Sequence, residues 1–308
     1  MPGTLPTDID RFVLKFRDVY GHIDSSRTEE ALWLQAVEEG SSIAEAVREV
    51  RYEEALSHIA DLFAWICGFV GKCNNVSNGA FHLDDPLSTI LWLKYPDKCP
   101  RCNSNPCRCL TLWKDLLYKE KTQKERAYKS IEERARRRLG SRVRDLDEIE
   151  LMFEELFGSN IMVMDIKEIA FHLLEEIGEV SEQIRELRAL ETLPSLGKDR
   201  IVPIKRELRR ELADVFSWMV TLLIKVNYLA DGSIRSVDAI AELLREKGYG
   251  NNDSDMPRKP LLRVLVLKYY SSANSMICRS CHKKKCDISV HIRRNRLYST
   301  NESGNGQA

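Results

Sequence analysis

Residues 172–180 read HLLEEIGEV: three glutamates, Glu175, Glu176 and Glu179, stand among leucine, isoleucine and valine with no basic residue between them. Positions three or four apart share a helix face, so Glu176 and Glu179 can address one target. Glu211 and Asp214 repeat that spacing at the head of ELADVFSWMVTLLIKV, a stretch apolar on nearly every side and therefore expected to be a buried helix. Carboxylates entering such a core repel one another and lose hydration unless a cation offsets them. Oxygen ligands without histidine or thiolate favour Mg²⁺ or Mn²⁺, and magnesium commonly completes its shell with water and substrate phosphate. The pattern points to metal-dependent phosphate chemistry.

Cysteines supply a second chemistry. Seven of the nine fall in two tight groups, which in a reducing compartment suggests metal binding more than disulfides. Cys99, Cys102, Cys107 and Cys109, in CPRCNSNPCRC, have the spacing of a closed tetrahedral Zn²⁺ site with a structural role, with an iron–sulfur cluster or redox thiols as the alternatives. Cys278, Cys281 and Cys286, in CRSCHKKKC, form a shorter set in which Ile288 takes the place of a fourth cysteine, leaving His291 or His282 to complete it. Cys67 and Cys73 read as thiols without a partner.

The elements that must position these groups come twice. HIADLFAWI at 58–66 matches ELADVFSWM at 211–219, and AVEEGSSIAEAV at 36–47 lies over LLEEIGEVSEQI at 173–184. Asp10, Phe16, Tyr20 and Gly21 align with Asp147, Phe153, Phe157 and Gly158; PLSTILWLKY at 86–95 matches PLLRVLVLKY at 260–269, and each is followed by cysteines. Each copy reads as a short amphipathic helix, a helix bearing the acidic cluster, a very apolar helix and a fourth element before the cysteines. RVLVLKYY is the one β-looking run. The resulting organisation is all-α: residues 1–110 as a first unit with its four-cysteine element, 111–144 as a basic connector, 145–291 as a second unit with the other cysteine element, and 292–308 as a disordered tail.

The connector holds twelve Lys or Arg against five Asp or Glu and is expected to be a long solvated helix laced with i,i+4 pairs, with a nucleic-acid arm as the alternative. Over the whole chain, Lys plus Arg equals Asp plus Glu at 47 each, which excludes a global field drawing the protein to nucleic acid or to an acidic membrane. No apolar run approaches the roughly 20 residues of a bilayer span, and the start lacks a secretion signal, so a cytoplasmic protein is expected.

EExxE at 175–179 followed by ExxD at 211–214 resembles the signature of the MazG-type, all-α nucleoside triphosphate pyrophosphohydrolases, closely over about 145–230 and more loosely over 8–75. The resemblance implies two tandem MazG-like helical bundles forming a pseudo-dimer, and hydrolysis of an NTP or dNTP between its α and β phosphates to the monophosphate and pyrophosphate. It makes Glu176, Glu179, Glu211 and Asp214 the Mg²⁺ ligands and puts Glu175 just outside them, orienting water. Lys225 and Asn227 would reach phosphate or a neighbouring subunit, against the alternative of a snorkelling helix-end lysine. Trp218 would stack on a base or serve the core. A homo-oligomer also follows from the resemblance.

The first copy departs from the signature. Glu38 and Glu39 remain, yet Ser42 replaces the third glutamate and His58 the one before Asp61, so this copy is expected to be a catalytically dead scaffold that can lend side chains to the active site of the second. A metal on His58 and Asp61 is an alternative; a histidine hydrogen-bonded in the bundle is commoner. The rival to an enzyme is a nucleotide-sensing or nucleic-acid-binding zinc protein on the same scaffold, with Lys283–Lys285 and Arg293, Arg294 and Arg296 as its basic groups.

Overall fold

Two aspartates begin the architecture. Asp8 caps helix α1 (Ile9–Asp24), accepting from the backbone of Asp10 and Arg11, and Asp145 caps α6 (Leu146–Val163) in the same way with Asp147 and Glu148. Both satisfy N–H groups that a helix start leaves unpaired. The two caps meet reciprocally: Ile9 N donates to Arg144 O and Leu146 N donates to Thr7 O, each at 2.8 Å. Equivalent positions of the two copies are thus bonded to one another. The computed structural model describes residues 7–75, 79–110, 121–192, 198–229, 259–272 and 275–287. His291, residues 111–120 of the connector and the tail 292–308 lie outside them.

Among the described residues the remaining helices are α2 (Glu29–Arg48), α3 (Tyr52–Asn75), α4 (Leu87–Lys94), α5 (Lys121–Arg137), α7 (Ile166–Thr192), α8 (Ile201–Leu229) and α9 (Pro260–Tyr269). The chain is mostly helical, as expected. RVLVLKYY is not a strand: Pro260 opens α9, which runs through Tyr269, because a proline at the first turn loses no helical hydrogen bond and pre-sets φ. The only strands among the described residues are β1 (Tyr270–Ser272) and β2 (Ser275–Met276), a short antiparallel pair.

The main core is one continuous cluster through both copies, beside a small second cluster of Trp92, Leu93 and Ala135. At its centre Phe63 of α3 meets its counterpart Phe216 of α8 at 6.2 Å between ring centres, edge on, with Phe12 at 5.8 Å on one side and Phe153 at 6.2 Å on the other. Truncating either fully buried ring to alanine costs roughly 3–5 kcal/mol. Helices α2 and α7 cross where Gly40 faces Ile177: a Cβ at Gly40 would lie 2.6 Å from Ile177 Cδ1, so a larger residue there would require the end of the Ile177 side chain to move. Trp33 Nε1 donates to Ile177 O at 3.1 Å beside that crossing, and Arg188 of α7 ties Glu29 and Glu30 of α2.

Helices α3 and α8 each contain an 18-residue window apolar enough to cross a membrane by composition, with 67% of each window buried inside the fold. That corrects the expectation that no run is long enough, and the burial shows that the apolarity serves the core. The connector helix also departs from a wholly solvated one. Ile131 and Ala135 of α5 are buried, and Trp92 Nε1 of α4 donates to Ala135 O at 3.1 Å, so α5 lies along α4.

Candidate functional site

Helices α7 and α8 run side by side, and their acidic turns face each other. Glu176, Glu211 and Asp214 each bring a carboxylate oxygen within 4.8 Å of the others, a group that could hold a metal ion. Glu211 is buried and Glu176 half-buried. Burial first, and Asp214 beside it, pushes the Glu176 carboxyl up to about 8. Burial again raises Glu211 to about 9, with Asp214, Glu179 and Glu176 adding to the effect and Lys94 opposing it. Ionised carboxylates here need a cation.

One cation is built in, and it comes from the other copy. Lys94, the last residue of α4, places its ammonium on Asp214 Oδ2 and on Arg210 O at 3.0 Å, and the next residue, Tyr95, donates its hydroxyl to Asp214 Oδ1. Burial opposes the charge on Lys94, yet Asp214, with Glu211 behind it, outweighs that and lifts the amine to about 12. The reciprocal arrangement exists in the first copy, where Lys268 and Tyr269 of α9 hold Asp61. A carboxylate has about four lone-pair sites, so Asp214 can serve Lys94, Tyr95 and a metal together.

The signal for these residues was present in the repeated LKY at 93–95 and 267–269, but the sequence carried no indication that each LKY serves the opposite copy. Tyr128 of α5 was missed for another reason, since nothing local ties a connector tyrosine to a distant acidic cluster. It faces Lys94 at 5.6 Å and Arg210 at 4.9 Å.

Above the carboxylates lies a cavity of about 300 Å³, lined by Trp218, His172, Glu168 and Thr221 on the helices and by Tyr95, Tyr128 and Arg101 from the first copy and the connector. His172 stacks on Trp218 at 4.5 Å with their planes 17° apart. Cys99, Cys107 and Cys109 form part of the cavity wall. The first cysteine element therefore covers the second copy's site: Cys107 N donates to Leu156 O at 2.7 Å, and Asn160 Nδ2 donates to Cys107 Sγ at 3.2 Å. In mirror fashion Cys286 N donates to Val19 O of the first copy at 2.9 Å.

The expected residues divide by position. Glu176, Glu211 and Asp214 converge. Glu179 is exposed at the rim, near enough to act on Glu211 but outside the converged group. Glu175 is exposed and paired with His172 at 3.2 Å. Trp218 faces the cavity. Lys225 is buried, its ammonium donating to Ile161 O and Met162 O at 3.0 Å each, where it satisfies the open carbonyls ending α6. It lies outside the cavity lining, and Asn227 is exposed beyond it.

Cys99, Cys102, Cys107 and Cys109 gather within 4.8 Å, with 3.5 Å between the sulfurs of Cys99 and Cys109 and 3.8 Å between those of Cys102 and Cys107. These separations are far beyond the roughly 2.05 Å of a disulfide. Backbone N–H groups of Arg108 and Cys109 point at the sulfurs of Cys102 and Cys107. Cys278, Cys281 and Cys286 gather likewise. Asn103 and His282, at equivalent positions in the two elements, both have φ of 56° and both donate to the first cysteine's carbonyl at 2.8 Å. His282 is thus a turn residue, and its ring does not join the three sulfurs among the described residues.

In the first copy, His58 Nδ1 lies 2.7 Å from Glu39 Oε2, the hydrogen-bonded histidine the sequence favoured, while Glu39, His58 and Asp61 still lie close enough to hold an ion. Asp61 is held not only by Lys268 and Tyr269 but also by Arg279. Comparison of the chain with family models, with curated proteins and with solved structures gave no match.

Proposed function

We propose that the chain is a MazG-like nucleoside triphosphate pyrophosphohydrolase, its two halves a fused pseudo-dimer with one catalytic centre between α7 and α8. The observation that carries this reading is the convergence of Glu176, Glu211 and Asp214 at the base of a cavity with a stacked aromatic pair at its side. Those three carboxylates would hold Mg²⁺, with Glu179 reaching in from the rim. When bound, magnesium offsets charge on the phosphates and lowers the pKa of an attacking water.

The chain's own residues do the rest. Lys94 offsets part of the carboxylate charge and Tyr95 fixes Asp214 in one orientation. Trp218, braced by His172, offers a face on which a base can stack. Arg101 lies in the wall where a charged phosphate tail would need it. Glu175, paired with His172, acts through that ring and not on a metal. The sulfur spacing in the first cysteine element suits Zn²⁺, because bonds of about 2.3 Å at tetrahedral angles put sulfurs about 3.8 Å apart. That zinc would have a structural role in the wall.

The test is incubation with a panel of NTPs and dNTPs in Mg²⁺, reading monophosphate and pyrophosphate. At least one should be cleaved between α and β phosphates, and Glu211→Gln and Asp214→Asn should abolish cleavage. Unchanged turnover in either variant removes the site assignment.

A further inference from the structure

The first copy has kept its cavity although it has lost the acidic pattern. Between α1, α3 and the second cysteine element lies a space of about 450 Å³, larger than the about 300 Å³ at the carboxylate centre. The enlargement follows from sequence, since Ala64 and Gly68 stand where the second copy has Ser217 and Thr221. Drift into a mere scaffold would permit larger side chains at these positions; here they are smaller.

Its charge has changed as well. At the carboxylate centre Lys94 and Arg101 face five carboxylates, Glu168, Glu176, Glu179, Glu211 and Asp214. In the first copy Arg27, Lys268 and Arg279 face three, Asp24, Glu39 and Asp61, with His58 on Glu39. Two of these cations are particular to this half: Met164 occupies the position equivalent to Arg27, and Pro100 that equivalent to Arg279. Asp61 is matched within the fold by Lys268, Tyr269 and Arg279, so this site makes little demand for a divalent ion.

The recognition groups are suited to an aromatic anion. Trp65 lines the cavity with the Arg27 guanidinium over its ring at 5.6 Å, and Tyr20 stands opposite, accepting from the Arg279 backbone at 3.3 Å. The Arg279 side chain is 52% exposed and gives one nitrogen to Asp61, leaving donors for a ligand. A guanidinium carries five N–H donors in a fork that matches phosphate.

We infer that the first-half cavity binds a nucleoside monophosphate without a divalent cation, with the phosphate between Arg27 and Arg279 and the base against Trp65. The choice of a nucleotide rests on the reading of the equivalent second cavity as a nucleotide site. It makes the first half a sensor for the product class of the reaction proposed for the second.

Titration calorimetry on the full chain in EDTA tests this, with AMP, GMP, CMP and UMP, their deoxy forms, the nucleosides and inorganic phosphate as probes. At least one monophosphate should bind at one site per chain with Kd tighter than about 1 mM. Arg279→Ala and Trp65→Leu should each weaken it tenfold or more, while Asp214→Asn leaves it unchanged. The inference is overturned if no monophosphate binds, if inorganic phosphate or a nucleoside binds as tightly, or if Asp214→Asn abolishes binding and Arg279→Ala does not. Turnover in Mg²⁺, measured on the same preparation, separates the two readings. Cleavage without EDTA-resistant binding overturns only the sensor, and binding without cleavage of any triphosphate overturns only the hydrolase.

Discussion

Lys94 of the first half and Asp214 of the second form a buried ion pair at the carboxylate centre, so the charge that a bound metal would offset is partly offset within the chain. The Lys94 side chain is 6% exposed and Asp214 16%. Removing one member of such a pair strands the other, and the loss is of order 3–5 kcal/mol when burial is complete. Lys94→Met should therefore destabilise the metal-free protein by about 3 kcal/mol, discounted for the partial exposure of Asp214. Thermal unfolding with and without Mg²⁺ checks this. The variant should melt lower without metal, and saturating Mg²⁺ should raise its Tm by more than it raises the parent's. An equal Mg²⁺ effect in both proteins would mean that Lys94 and the metal do not share the same charge.

The crossing of Lys94, Tyr95 and the first cysteine element onto the second half bears on how the chain can be divided. A fragment beginning at Lys121 retains every EExxE and ExxD residue yet lacks the ammonium and hydroxyl on Asp214 and the cavity wall built by Cys99 and Cys107. Expressed alone, it should show no triphosphate cleavage and should gain activity on mixing with a 1–110 fragment. Full activity of the isolated fragment would show that the crossed contacts are dispensable.

Local pattern made the helices and the carboxylate pairs readable, because i,i+3 spacing and apolar periodicity are properties of neighbours in sequence. Glu176, Glu211 and Asp214 could be grouped for that reason. The partner of Asp214 could not, since LKY at 93–95 reads the same whether it packs on its own copy or on the other. Lys225 shows the converse. Its place three turns beyond Asp214 suggested a phosphate contact, whereas the end of α6 supplies the carbonyls that hold it. RVLVLKYY failed as a strand because β-branched content is a weak preference next to a proline that opens a helix.

Glu150 of α6 is a buried carboxyl at the start of α9. It is 2% exposed and accepts from Leu261 N at 3.0 Å. Burial raises it from 4.5 to about 7, with Asp147 and Glu154 adding to the rise while the Leu261 amide and Lys259 oppose it. A carboxyl held above its unfolded value binds its proton more tightly when folded. The stability this contributes is complete below about pH 4.5 and is lost as pH rises through 7, amounting to about 3 kcal/mol once the group is ionised. Glu150→Gln keeps an acceptor for Leu261 N and carries no charge. It should unfold at higher denaturant than the parent at pH 8 and show little difference at pH 4.5. A parent and variant that differ equally at both pH values would refute this account of Glu150.

Removing metal from the first cysteine element should disturb the second half more than the first. Cys107 is bonded to Leu156 and Asn160 of α6, at 2.7 Å through its amide and 3.2 Å through its sulfur, and these contacts hold the wall over Glu176 and Asp214. Four thiolates would repel one another without a cation between them, and the loop 99–109 is tied to α6 through Cys107 and to Arg134 of α5 through Asn103. Cys107→Ser should lower bound zinc by about one per chain in elemental analysis. It should also cut triphosphate turnover at least tenfold at a temperature where far-ultraviolet circular dichroism remains that of the parent. Cys286→Ser, whose amide instead meets Val19 of α1, should leave turnover within about twofold, because its contacts lie in the first half. Equal losses of turnover in the two variants would mean that the cysteine elements support the fold as a whole and not the cavity each one covers.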